Sequence, residues 1–214
     1  AWAAHPDWIA TADLTVHLLG PAPASIVTAH GRVIRRGRTT IVLGVDLVDE
    51  RARDLGTATM SFAVLPRRDG NPVVEPAVEP VRHAFVPVDD EPYAPLPDAI
   101  GIALDGTDAV APMSPFVVNS LGAMQGGAVA SLAAAAATAA ADAAIGRRTV
   151  CLDLEINYLS LGKVGPIRAV PRILRAEAAW CLVAVEVRDH GNDDRLMTVV
   201  RAVAAVPAGD GARA

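Results

Sequence analysis

Asn119-Ser120-Leu121-Gly122-Ala123-Met124-Gln125-Gly126-Gly127 runs straight into Ala128-Val129-Ala130-Ser131-Leu132, and from there alanine dominates as far as Asp142 and Gly146. A glycine-rich turn that opens into a long apolar helix presents unpaired backbone N–H groups at the positive end of the helix dipole. Such an end attracts and holds an anion or a carbonyl oxygen. The spacing predicts a helix from Gly126 to Ile145, about 30 Å long at 1.5 Å per residue. Ser131 and Thr138 are its only hydrogen-bonding side chains ahead of Asp142, so the helix is expected to be wrapped on most sides. A membrane span is the competing reading. Alanine inserts weakly, however, and no aromatic or Lys/Arg belt marks two interfaces, which favours a small-residue helix inside a curved sheet.

Outward from this element the chain alternates like β-strands. Four extended segments precede it: Asp13 to Leu19, Ser25 to Ile34, Thr39 to Val48 and Thr57 to Leu65, with a Gly20-Pro21 turn after the first. Prolines at 72, 76, 80, 87, 92, 95 and 97 then mark an extended connector over 67–97. A short segment from Asp98 to Leu104 and a strand from Asp108 to Val118 lead into the glycine turn. Four further strands follow the helix, Thr149 to Leu159, Gly165 to Leu174, Trp180 to Asp189 and Leu196 to Val206, and 208–214 reads as a disordered tail.

The second set of strands repeats the first. A shift of 140 superposes Asp13 on Asp153, Val16 on Ile156, Val27 on Ile167, Arg32 on Arg172, Arg35 on Arg175, Val45 on Val185 and Asp49 on Asp189 without a gap, and a shift of 141 takes Thr57 to Thr198. The repeat divides the chain into 1–66, a connector 67–97, and a second, complete unit 98–207. The counterparts of the glycine turn and most of its helix would fall before residue 1, leaving Ala1 to His5 as the last helical turn. Four strands with an open apolar face make a poor folding unit alone.

A net charge of −5 and a pI near 5.5 argue against a nucleic-acid partner, since no basic stripe exists to neutralise phosphates. Cys151 and Cys181 sit in apolar strands without the spacing of a zinc site or a disulfide framework. They read as core residues in a reducing compartment, and a cytoplasmic protein without a bound metal is expected.

The order strand, Asn-x-x-Gly-x-x-x-Gly-Gly turn, long helix and four-stranded meander resembles the hotdog fold of the acyl-CoA thioesterases, specifically their phenylacetyl-CoA type. Asn119, Gly122, Gln125, Gly126, Gly127, Leu132 and Leu154-Glu155-Ile156-Asn157-Tyr158-Leu159 carry the resemblance. It implies an α+β fold in which a long central helix is wrapped by a curved antiparallel sheet. Two tandem repeats form a pseudo-dimer with continuous sheets and neighbouring helices, and acyl-CoA lies in the seam. Coenzyme A then arrives as part of the substrate and no further cofactor is needed.

The resemblance also implies roles. The Gly126-Gly127 N–H groups polarise the thioester carbonyl, Asn119 helps to place the attacking water, and a carboxylate on the partner repeat's helix acts as base or nucleophile. Gln125 stands where the family usually has His, and cannot titrate. The family's helix carboxylate falls on Ala134. Asp142 is the only acid in the helix, so the catalytic acid is expected upstream of residue 1. Gly122 and Met124 are expected beside the substrate. Arg36 and Arg38, in the turn Arg35-Arg36-Gly37-Arg38, and Lys163 are candidates for the nucleotide phosphates, because cationic donors suit phosphate; solvated charge is the plainer reading. His17, Tyr158 and Trp180 read as packing or seam residues. Three functions follow from the resemblance: an acyl-CoA thioesterase, a hotdog module that binds acyl-CoA without catalysis, and an enoyl-CoA hydratase, the last lacking its usual Asp and His. A homodimer of tandem units is the expected assembly.

Overall fold

In a computed structural model, residues 8–19, 26–65 and 94–207 are described. The expected turn at Gly20-Pro21, most of the expected connector (67 to 93), the helical turn expected at Ala1 to His5 and residues 208–214 lie outside the described residues.

Among the described residues, ten strands form one antiparallel sheet. The first four, β1 (Trp8–Leu18), β2 (Val27–Arg36), β3 (Thr40–Asp49) and β4 (Asp54–Leu65), precede the short helix α1 (Leu96–Ile100) and the hairpin β5 (Ala103–Asp105) and β6 (Asp108–Ala111). Helix α2 (Gly126–Ile145) leads to β7 (Val150–Tyr158), β8 (Ile167–Ala176), β9 (Trp180–Asp189) and β10 (Arg195–Ala205). The strand order is β2-β3-β4-β1-β7-β10-β9-β8-β6-β5. This is the hotdog fold, a large antiparallel sheet curved around one long helix.

The two four-strand sets meet edge to edge at β1 and β7. Thr15 lies opposite Glu155, Leu14 opposite Ile156 and His17 opposite Asp153. Thr15 and Glu155 are counterparts under the shift of 140, so the pairing runs through a local twofold centred on that pair. The irregularities recur as well: the register slips between Thr11 and Asp13 in β1 and between Cys151 and Asp153 in β7, then between Val33 and Arg35 in β2 and between Ile173 and Arg175 in β8. One sequence expectation needs correction. Val45 pairs with Ala58, whereas Val185 pairs with Val200, so the last strands are related by 142 and not 141. The path from Asp189 to Leu196 holds two residues more than the equivalent path from Asp49 to Asp54, and an alignment that matched residue types absorbed only one of them.

Helix α2 keeps the boundaries its sequence dictates. Alanine has the highest helix propensity, and Gly146 ends the helix in a left-handed conformation (φ 73°), its N–H returning to the Asp142 carbonyl. Its environment differs from expectation. Ala128, Val129, Leu132, Ala133, Ala136, Ala137, Ala140 and Ala141 are buried against β6–β10, while Ala130, Ser131, Ala134, Ala135, Thr138 and Ala139 on the opposite side are only half-buried. The helix is thus covered on one face and not on most sides. By length and composition it could cross a membrane, yet that buried face forms the centre of the hydrophobic core with Ile156, Ile167, Val183, Val185, Val187 and Val200.

The strand expected over Asp108 to Val118 is also shorter than its sequence suggests. It ends at Ala111, ahead of Pro112, and the chain then turns toward the helix.

Two buried aspartates tie down loops. Asp189, fully buried, accepts the backbone N–H groups of Lys163 (2.8 Å), Val164 (3.1 Å) and Gly165 (2.7 Å). Its counterpart Asp49 accepts those of Arg51 and Arg53 at 2.8 Å and pairs with the Arg53 guanidinium. Burial pushes the Asp189 carboxyl up. The three N–H groups and the Arg195 charge outweigh it, so the carboxyl stays below its ordinary value. Asp49 is lowered chiefly by the Arg53 N–H.

A folded-state pKa below the unfolded one contributes stability that is present above the unfolded value, near 3.9, and is lost as pH falls below it. Melting temperature should therefore change little between pH 7 and about 5 and drop as pH passes below about 4. Asp189→Asn should flatten that acid limb in a pH series of thermal melts.

Candidate active site

The turn before α2 is built by its own backbone. Asn119 Oδ1 accepts the N–H groups of Leu121 (2.9 Å) and Ala123 (3.2 Å), and the Asn119 N–H donates to the Ala123 carbonyl. Gly122 occupies the left-handed region (φ 69°) that closing this loop requires. Val118 bridges to Met124, the Met124 N–H donates to the Gly162 carbonyl at 2.9 Å, and that of Gln125 to the Val117 carbonyl at 2.8 Å. These bonds fix where α2 begins. The first intrahelical bond runs from the Val129 N–H to the Gln125 carbonyl. Among the described residues, no side chain caps the helix. The N–H groups of Gly126, Gly127 and Ala128 therefore have no intrahelical acceptor, and they carry the positive end of the dipole.

Tyr158 on β7 locks this end from below. Its hydroxyl donates to the Gly126 carbonyl at 2.9 Å, and burial pushes the phenol up to about 12, so it stays a donor at neutral pH. A Cβ on Gly126 would lie 3.2 Å from the Tyr158 hydroxyl and 3.3 Å from its ring, which accounts for glycine there. Around Gly127 a Cβ would meet nothing within 4 Å. That glycine leaves open space ahead of the helix.

Beside the turn lies a cleft of about 310 Å³. One wall is the turn and first turn of α2, with Asn119, Leu121, Met124, Gly126 and Val129. The second comes from Tyr158 to Gly162 with Met197 and Thr198. The third is Trp8 to Thr11 of β1, from the other half of the sheet. Exposure sorts the lining by depth. Ser120, Leu159 and Leu161 are exposed at the mouth, whereas Met124, Val129, Gly162, Met197 and Thr198 are buried on the floor.

Of the residues singled out from sequence, Asn119, Met124 and Gly126 line the cleft, and Gly127 and Gln125 are exposed at the same helix end. Gly122 sits in the supporting turn. Lys163 is exposed and follows Gly162 directly, held through its backbone by Asp189. Arg36 and Arg38 stand at the β2–β3 turn. That turn is at the same end of the sheet as Trp8 to Ala10, since Thr40 pairs with Ala63 and Ala63 with Ala10. Asp142 is elsewhere. Its Oδ1 accepts both the N–H (2.6 Å) and the hydroxyl (2.7 Å) of Thr149, about 24 Å along the helix from Gly126. It fastens α2 to β7. Ala134 is half-buried on the uncovered side of the helix.

Residues 117–206 match the family model of the acyl-CoA thioesterase N-terminal domain, and residues 3–55 that of the thioesterase superfamily. The chain belongs to the thioesterase superfamily. Solved structures agree on the fold. A Lactobacillus plantarum protein provisionally named an oleoyl thioesterase superposes with a TM-score of 0.64 at 13% identity, over 96% of this chain and 79% of that one. The tesB protein of Mycobacterium avium subsp. paratuberculosis gives 0.60 at 15%, over 93% and 79%. A hotdog-fold protein of unknown function from Alicyclobacillus acidocaldarius gives 0.57 at 15%, over 97% and 83%. No curated protein matches the sequence.

Sequence reasoning missed several residues that line this cleft: Trp8 to Thr11, Leu161, Met197 and Thr198. Thr198 carried a readable signal. Strand parity places it on the same face as Val200, Ala202 and Ala204, which pack into the core, so a hydroxyl there is out of keeping with its neighbours. Only 1% of it is exposed, and its hydroxyl has no hydrogen-bond partner among the described residues. An orphaned buried hydroxyl costs about 1–3 kcal/mol. Thr198→Val, which keeps the shape, should raise unliganded stability by about 1 kcal/mol in denaturant titration.

Proposed function

We propose that this protein hydrolyses acyl-CoA thioesters, with the carbonyl oxygen held by the N–H groups at Gly126 and Gly127. The observation that carries this is an uncapped helix N-terminus opening on a cleft whose buried floor is apolar apart from Thr198, in a chain of this superfamily. Water attacks the carbonyl carbon, negative charge collects on the oxygen facing the start of α2, the C–S bond breaks, and the departing thiolate takes up a proton. Donors fixed in advance around that oxygen lower the barrier, because nothing has to reorganise as the charge appears.

The base is the finer part of the proposal. Ala134 offers no chemistry, and Asp142 is committed to Thr149. We place the base on a helix equivalent to α2, supplied from outside residues 1–214. Two surfaces favour such a helix. The inner face of β1–β4, counterpart of the face that α2 covers, leaves Val27 57% and Val33 53% exposed, and the small-residue side of α2 beside it is half-buried. Lys163, Arg36 and Arg38 are proposed for the CoA phosphates, Asn119 and Gln125 for polar contacts at the cleft mouth, a reducing cytoplasm for the two free thiols Cys151 and Cys181, and a homodimer for the assembly.

The test is release of free thiol from short, medium and aromatic acyl-CoA thioesters by residues 1–214 and by the natural reading frame extended upstream. Hydrolysis in the extended chain, abolished when its upstream Asp or Glu is changed to Ala, is expected. Hydrolysis by a chain with no upstream acid would refute the placement of the base. A second reading, acyl-CoA binding without catalysis, draws on Ala134, and on the commitment of Asp142. It predicts binding with no thiol release from either chain.

A further inference from the structure

The cleft has a floor as well as a mouth, and its floor turns on one contact. Met197 stands at the register slip of β10 between Leu196 and Thr198, where one extra residue is accommodated. Only 1% of it is exposed. Its thioether lies directly against Gly162, so closely that a Cβ on Gly162 would collide with both Cε and Sδ of Met197. Gly162 has no left-handed torsion to require glycine, and its carbonyl is already engaged by the Met124 N–H. What the glycine supplies at this place is room for the methionine tail. The helix N-terminus, half-buried at Gly126 and exposed at Gly127, is at the shallower level of the same cleft. For a thioester seated there, the deeper part of the cleft, toward Met197, is the space left for an acyl group.

We propose that the Met197–Gly162 contact sets the length of the acyl chain this site accepts, and that the substrate is a short- to medium-chain acyl group. This rests on the reading of the cleft as an acyl-CoA site. The volume supports the class: about 310 Å³ is at the small end of ligand cavities, which run from roughly 300 to 1,000 Å³. Methionine suits the place, since an unbranched thioether with three rotatable bonds can fill an irregular gap or yield to a ligand. The contact makes two opposite substitutions informative. Gly162→Ala adds a methyl group where the Met197 tail now lies, so the tail has to move, and on this proposal it moves into the cleft. Met197→Ala removes the tail and deepens the floor.

The experiment measures chain-length preference twice, in the full natural chain and both variants. The first readout is kcat/KM across straight-chain acyl-CoA thioesters from two to sixteen carbons. The second is thermal stabilisation by the matching S-alkyl CoA thioethers, which cannot be hydrolysed. The expected result is an optimum at short to medium length in the parent chain, a shift to longer chains in Met197→Ala, and a shift to shorter ones in Gly162→Ala. Met197→Leu, which nearly conserves volume, should leave the optimum in place. Unchanged optima in both shape-changing variants, with melting curves showing intact folds, would overturn the assignment. Thioether binding without hydrolysis in the parent chain would reject the hydrolase and still let the binding series decide the floor. Absence of thioether stabilisation and of hydrolysis in the parent chain would reject both.

Discussion

Asp189→Ala should destabilise the fold by about 4 kcal/mol, which for a chain of this size lowers the melting temperature by roughly 10 °C. The carboxylate is fully buried and holds three successive N–H groups, those of Lys163, Val164 and Gly165. Alanine leaves all three without an acceptor in a place that the chain itself closes from water. Each orphan costs about 1–3 kcal/mol, and partial hydration after relaxation recovers some of it. Those residues continue from Gly162, so activity should fall along with stability. Asp189→Asn keeps one acceptor oxygen but turns an NH₂ group toward the remaining N–H groups, and should sit between the two. A variant within 1 kcal/mol of the parent in chemical denaturation would show that the loop is held by other means.

Gly126→Val should leave the sheet intact and reduce hydrolysis about a hundredfold. Even the first carbon of a side chain would come within 3.2 Å of the Tyr158 hydroxyl. The branches of valine require the ring or the helix start to move by more than a few tenths of an ångström. Either movement misdirects the N–H groups that hold the developing oxyanion, and losing one such donor is worth on the order of 10²–10³ in rate. The loss should appear in kcat, with KM little altered, because the oxyanion exists only in the transition state. Tyr158→Phe is the natural comparison. It removes the bond to the Gly126 carbonyl without adding bulk, and should cost the fold about 1 kcal/mol.

The fold was legible where local chemistry decides structure. Alanine propensity and the two flanking glycines set α2 at Gly126–Ile145, and period-2 alternation with turn residues placed the strands of the meander. The shift of 140 makes Thr15 and Glu155 counterparts, but that the two lie opposite each other across the β1–β7 junction is seen only in the fold. Legibility stopped where distant segments compete. No local signal says that Trp8 to Thr11 forms a wall of a cleft whose floor comes from Met197, nearly two hundred positions along the chain. The one-residue error in relating β4 to β10 arose because residue types matched better at 141 than at the true register. Asn119 shows the limit at the site itself. The family pattern assigns it to a water, and its Oδ1 also accepts the N–H groups of Leu121 and Ala123, local bonds that the sequence equally allows.

The junction between β1 and β7 also bears on how copies of this chain avoid trading halves. A strand that pairs across a local twofold can in principle pair with the same strand of another molecule in the same register. For β7 that arrangement would set Glu155 against Glu155, and like charges directly opposed in an antiparallel pair are unfavourable. In the observed sheet Thr15 takes that position, and His17 meets Asp153 at 2.7 Å. The central pair thus disfavours exchange through β7 while costing the native sheet nothing. Glu155→Thr would remove that discrimination, and mixed oligomers would be the symptom.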